Sequence, residues 1–220
     1  MPRRFFQKVV QLYIKPRIKR EISDNWDPKD VSDPSNLVEN WLLPWREVLG
    51  DKEMQGIFLV AKLKLSSALS HPGTSQALIM QLLLPWRPIL DHSSFEALLT
   101  RTLIPRLTAS LRAFEVDPSD QQIEPITSLF AWKGVLPDQL LTQLLRDHVL
   151  TKWLTVLQDW LDQLLTGPVE DRREAVEEII QWYLGWKSII PGEVRERPEV
   201  EEVFRWALEM LEIRLCFNNS

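Results

Sequence analysis

Four segments of this chain repeat one another around a tryptophan, and that repeat restricts the fold more than any other feature. They are Pro44-Trp45-Arg46-Glu47-Val48-Leu49, Pro85-Trp86-Arg87-Pro88-Ile89-Leu90, Ala131-Trp132-Lys133-Gly134-Val135-Leu136 and Gly185-Trp186-Lys187-Ser188-Ile189-Ile190. Each reads as a small residue or proline, then tryptophan, a cation, any residue, a β-branched aliphatic and a second aliphatic. The steps between tryptophans are 41, 46 and 54 residues. A period of about 40–50 residues is the size of an armadillo or HEAT-like helix pair. One pair cannot bury its apolar face alone, so neighbours must stack.

Helical periodicity surrounds each tryptophan. A shorter apolar run precedes it, over residues 37–43, 77–84, 123–130 and 175–184 (helix A). A longer run follows, over 54–69, 94–114, 139–165 and 198–217 (helix B). In the last run Val200, Val203, Phe204, Ala207, Met210, Leu211 and Leu215 share one face, and Glu201, Glu202, Arg205, Glu209 and Glu212 the other. Helix starts are expected at a Ser93/Glu96 capping box, at Asp117-Pro118, at Asp138 and at Pro198. Ile14-Lys15-Pro16-Arg17-Ile18 and Leu103-Ile104-Pro105-Arg106-Leu107 put a proline inside a B helix, which should kink or break there. Lys64-Leu65-Ser66-Ser67-Ala68-Leu69 and Lys152-Trp153-Leu154-Thr155-Val156-Leu157 are weaker echoes of that signature.

The expected architecture is therefore all-α, with antiparallel helix pairs stacked as a short HEAT-like α-solenoid. It reads as one domain over residues 1–220, with a half repeat at 1–30 and repeats at about 31–70, 71–115, 116–166 and 167–217. The first 25 residues look like a B helix without its helix A, which would leave an apolar face uncovered. That suggests a part of a longer protein, or a first helix that docks elsewhere.

Composition agrees. Hydrophobic residues make up 45% of the chain, enough for a continuous core. Glycine is scarce, 7 in 220, which disfavours tight hairpins and Gly-rich phosphate loops. One cysteine and no signal-peptide pattern suggest a reducing, intracellular compartment. No apolar run approaches the ~20 residues of a membrane span. The net charge is −5, yet residues 1–20 carry +7, so residues 21–220 carry −12. An acidic body does not suit nonspecific DNA binding over its whole surface.

No catalytic, cofactor or metal constellation is apparent. His71, His92 and His148 have no second ligand at metal spacing, and no nucleophile elbow, Walker loop or dinucleotide fingerprint occurs. Cys216 reads as an idle or buried thiol and His148 as a core histidine on an apolar stripe. The adjacent Glu177-Glu178 and Glu201-Glu202 point about 100° apart on a helix and read as solvated faces.

Trp45, Trp86, Trp132 and Trp186 read as structural anchors wedged between helices A and B. The cation after each could sit over the unsatisfied carbonyls ending helix A. Alternatively Arg46, Arg87, Lys133 and Lys187 form a row along one edge, suited to an acidic partner or a phosphate backbone. The basic start, with Lys15, Arg17, Lys19 and Arg20, could contact RNA or act as a nuclear-import signal; it could equally be the solvated face of a terminal helix. No stacking aromatics of the kind RNA readers use alternate with those charges.

Trp182-Tyr183-Leu184-Gly185-Trp186-Lys187-Ser188, residues 149–157 and 64–69, and Leu83-Leu84-Pro85-Trp86 resemble the helical region of the GC-rich-sequence DNA-binding-factor-like (GCFC) family. The likeness runs from about residue 13 to 215. It implies a nuclear role in pre-mRNA splicing, among proteins that help to disassemble the spliceosome by recruiting and stimulating a DEAH-box RNA helicase. Those proteins stimulate the helicase through a Gly-rich G-patch, which this sequence lacks, so only the part that docks on other splicing proteins carries over. The expected function is a non-catalytic protein-interaction scaffold without cofactor. The alternatives are a transcription-linked nuclear factor that binds nucleic acid through its basic first helix, and a regulatory repeat module unrelated to splicing.

Overall fold

The computed structural model describes residues 3–71, 73–166 and 172–216. Among these the chain is all-helical, and the sole β feature is an isolated bridge between Lys133 and Leu136. None of the described helices is long and apolar enough to cross a membrane. The chain forms two compact units, residues 1–105 and 106–220.

In the first unit α1 (Arg3–Val9) passes through a π-helical turn, Val10–Ile14, into α2 (Lys15–Asp24). Pro16 stands inside this continuous helical run, and the π turn just before it accommodates the missing N–H and the ring. After a loop come α3 (Val38–Trp41), α4 (Pro44–Leu49) and α5 (Asp51–Ser70). Gly50 joins α4 to α5 at φ 79° and ψ 161°, a conformation open essentially to glycine alone. Then follow α6 (Gln76–Leu83) and α7 (His92–Thr102). Helix α5 is the central rod. It buries Met54, Ile57, Ala61, Leu65 and Ala68 at helical spacing and packs against α2, α6 and α7.

Helix α8 (Ile104–Ala113) starts after a break at Leu103, next to Pro105, as the in-helix proline requires. In the second unit α9 (Glu124–Phe130) and a turn lead to α10 (Asp138–Leu145), a π-helical turn Arg146–Leu150 and α11 (Thr151–Thr166). Then come α12 (Arg172–Ile189), α13 (Gly192–Arg195) and α14 (Pro198–Cys216). Helix α11 is the central rod here and packs against α12 and α14.

Several local expectations need correction. Helix α7 is capped by Asp91, whose carboxylate accepts from Ser94 N at 2.9 Å, so Ser93 lies inside the first turn. Asp117 accepts from Ser119 N and Oγ in a turn, and the helix starts later, at Glu124. Pro137, not Asp138, holds the N-cap position of α10. The π turn at 146–150 inserts a residue into the apolar stripe. It buries Val149 and Leu150 and leaves His148 half-exposed instead of in the core. Residues 167–171, the start of the fourth repeat, and the Cys216 side chain lie outside the described residues.

Candidate interaction surface

The two units share one plan at their centres. Lys64 of α5 donates from Nζ to Ile22 O and Ser23 O, at 2.9 and 2.8 Å, over the last turn of α2. Lys152 of α11 donates to Leu111 O, Arg112 O and Phe114 O, at 3.1, 2.7 and 2.6 Å, at the end of α8. A helix C-terminus leaves carbonyls without intrahelical partners and carries the negative end of the dipole. An ammonium with three donors answers both deficits. The aromatic residue just past that helix end is equivalent too. Trp26 meets Trp86 with ring centroids 6.1 Å apart, and Phe114 meets Trp186 at 6.3 Å. Lys64 and Lys152 stand 88 residues apart, and so do Trp26 and Phe114. The echo between the two lysine segments thus marks a helix-end clamp made by the next long helix.

Three tryptophans of the repeat are buried: Trp86 at 2% exposure, Trp132 at 0% and Trp186 at 2%. Trp45 is half-buried, because Pro44 opens a short helix with no buried residue. Trp186 does not sit beyond a helix end; α12 runs on through it to Ile189. The indole missed as an anchor is Trp153, fully buried, with rings of Trp182, Tyr183, Trp186 and Phe204 at 5.7, 5.9, 6.1 and 5.1 Å. Its signal was the tryptophan beside the clamp lysine. Burial pushes the Tyr183 hydroxyl above the usual phenol range. That hydroxyl finds no hydrogen-bond partner among the described residues, nor do the buried Nε1 atoms of Trp132, Trp153 and Trp182.

The cations after the tryptophans take various roles. Arg46 lies inside α4, pairs with Asp51 at 2.6 Å and reaches Pro88 O at 3.5 Å. Lys133 pairs with Glu193 and holds that carboxyl below its ordinary range. Arg87 is exposed and Lys187 half-buried. In residues 1–105 Arg46 and Arg87 stand near the tips of different helices; in residues 106–220 Lys133 is committed to an acid.

The basic start divides in two. Lys15 pairs with Glu53 of α5 at 2.8 Å, and its contact pulls the Glu53 carboxyl below the usual value. Lys19 lies half-buried with its Nζ over Gly56. Arg4, Lys8, Arg17 and Arg20 are exposed, beside exposed Phe5, Phe6, Leu12 and Tyr13. Residues 4–20 therefore expose both apolar and cationic side chains. Among the described residues no group of His, Cys, Asp and Glu could hold a metal.

The model of the GC-rich sequence DNA-binding factor-like protein family matches residues 1–157. Over 206 residues the chain is 31% identical to tuftelin-interacting protein 11 of Rattus norvegicus and 30% identical to that of Homo sapiens. The aligned stretch covers 92% of this chain and 23% of each relative, so the chain spans under a quarter of their length. With well over half of its residues matched by the family model, the chain belongs to the GC-rich sequence DNA-binding factor-like family.

Proposed function

We propose that this chain is a non-catalytic protein-interaction scaffold of the pre-mRNA splicing machinery, acting in the nucleus during spliceosome disassembly. Its partners are splicing proteins, with a DEAH-box RNA helicase complex among them. The observation that carries this reading is family membership together with relatives that align along 92% of the chain. The helical plan supports a scaffold: a central rod with several neighbours, its lysine closing the end of an earlier helix, presents long side-chain surfaces to partners. The repeats at about 31–70, 71–115, 116–166 and 167–217, preceded by the half repeat 1–30, form one HEAT-like array in this reading. Trp45, Trp86, Trp132 and Trp186 anchor it.

Affinity purification from nuclear extract, followed by mass spectrometry, tests the proposal. A DEAH-box helicase with late splicing factors is the expected catch. Chromatin factors in their place would overturn it.

A second reading, nucleic-acid binding through the first helix, draws on exposed Arg17 and Arg20 next to Tyr13. It is weakened by the commitment of Lys15 to Glu53. Titration against RNA and DNA at rising salt separates the two, since each neutralised phosphate steepens the salt slope by about 0.7–0.9. A scaffold shows little binding to either.

A further inference from the structure

We propose that a groove between α11 and α12 binds an arginine-containing basic segment of a partner protein. The groove encloses about 1010 Å³, at the upper end for a small-molecule site, and lies open along its length. That shape fits an extended segment better than a compact ligand. Trp160 and Trp182 form part of its wall, edge to face at 5.7 Å and 73°, and both are only half-buried. Asp159, Glu174, Glu177 and Glu178 line it as well, all exposed, and no lysine or arginine is among its lining residues. Glu177 meets Arg173 on its own helix at 3.5 Å. The other three carboxylates form no ion pair with a described residue.

A solvated helix face explains carboxylates alone, but not two indoles left half open between them. Indole faces beside carboxylates are the surroundings a guanidinium prefers: it stacks on the ring and offers paired N–H donors to the acid. An ammonium is a more strongly hydrated point charge and gains less. A phosphate backbone meets four like charges here, which excludes RNA as the occupant. The charge pattern therefore commits the groove to a cationic peptide.

This deepens the scaffold reading and rests on it only in taking a protein segment as ligand; it does not require splicing. The test uses the full chain and fluorescein-labelled peptides of nine arginines or nine lysines, with a nine-nucleotide oligouridine as the third probe, read by anisotropy at physiological salt. The arginine peptide should bind about five-fold tighter than the lysine peptide. Glu174→Gln with Glu178→Gln should weaken it about ten-fold. Trp160→Leu should weaken it about five-fold. Glu199→Gln with Glu201→Gln, an exposed pair on α14 outside the groove, should change it by less than about two-fold.

Equal binding by wild type and the Glu174/Glu178 variant would overturn the proposal. So would an equal loss in the Glu199/Glu201 variant, or oligouridine bound tighter than the arginine peptide. The glutamine pairs are exposed, so they decide the matter even if Trp160→Leu unfolds. A failed titration leaves the purification from nuclear extract to judge the scaffold reading by itself.

Discussion

Replacing Lys152 by methionine isolates the clamp that ends α8. The substitution keeps most of the apolar stem and removes the ammonium. Three carbonyls, now served at 2.6–3.1 Å, lose their donor. Hydrogen bonds to a charged group contribute roughly 1.5–3 kcal/mol each when one partner is deleted. Water can reach Arg112 O, on an exposed residue, more readily than Leu111 O or Phe114 O, which belong to buried ones. Releasing the lysine also returns up to about 2 kcal/mol of side-chain entropy. The balance is a net loss of about 2–3 kcal/mol. For a chain of this size that lowers Tm by roughly 4–12 °C. Guanidinium unfolding followed by tryptophan fluorescence measures it, with Arg87→Met as the control for losing an exposed cation. Lys64→Met, with two carbonyls served, should cost less, about 1–2 kcal/mol. A Lys152→Met protein within about 0.5 kcal/mol of wild type, or no more affected than Arg87→Met, would refute the clamp.

Trp132→Ala should cost about 3–5 kcal/mol, because the indole is fully buried, whereas Trp45→Ala should cost under about 2 kcal/mol from its half-buried site; matched denaturant curves compare them. Gly50→Ala meets no atom within 4 Å, so its cost is purely conformational, about 1–3 kcal/mol by thermal melting. Tyr183→Phe deletes a buried hydroxyl that has no partner among the described residues, and stability at neutral pH should hold or rise by up to about 1 kcal/mol. Burial holds the folded-state phenol above its ordinary value, so ionisation costs the fold nothing while both states keep the proton. As pH rises further the unfolded chain loses its proton first and stability falls; Tyr183→Phe should show a shallower alkaline decline in pH-dependent melts.

Much of the fold could be read directly. Period and proline placement located the long helices: the helix breaks beside Pro105 and is distorted into a π turn just before Pro16, where a missing N–H demands adjustment. What escaped were effects without a local signature. The π turn at 146–150 carries no glycine or proline; its trace was a slip in the stripe between Leu145 and Leu150, which a regular helix pattern conceals. The Asp91 cap lay two residues before the Ser93/Glu96 box, and with Ser94 three positions on it lacks the glutamate that made Ser93 the better match. Trp45 matched its counterparts in sequence but not in burial, since it sits in a short helix with no buried residue. The surface was the hardest part. The acidic groove arises only when α11 and α12 lie side by side, and no single segment carries Trp160, Glu174 and Trp182 together.

The lysine clamps carry a lesson about where such a chain can be cut. The carbonyls at the end of α8 are answered by a residue about forty positions downstream, on the next long helix. A fragment ending between α9 and α10 would keep its helices and still bare that terminus to solvent. Each clamp ties two long helices that are separated in sequence by short ones, α2 with α5 and the end of α8 with α11. Expression boundaries drawn at Trp45 or Trp132 would sever a helix end from the lysine that closes it.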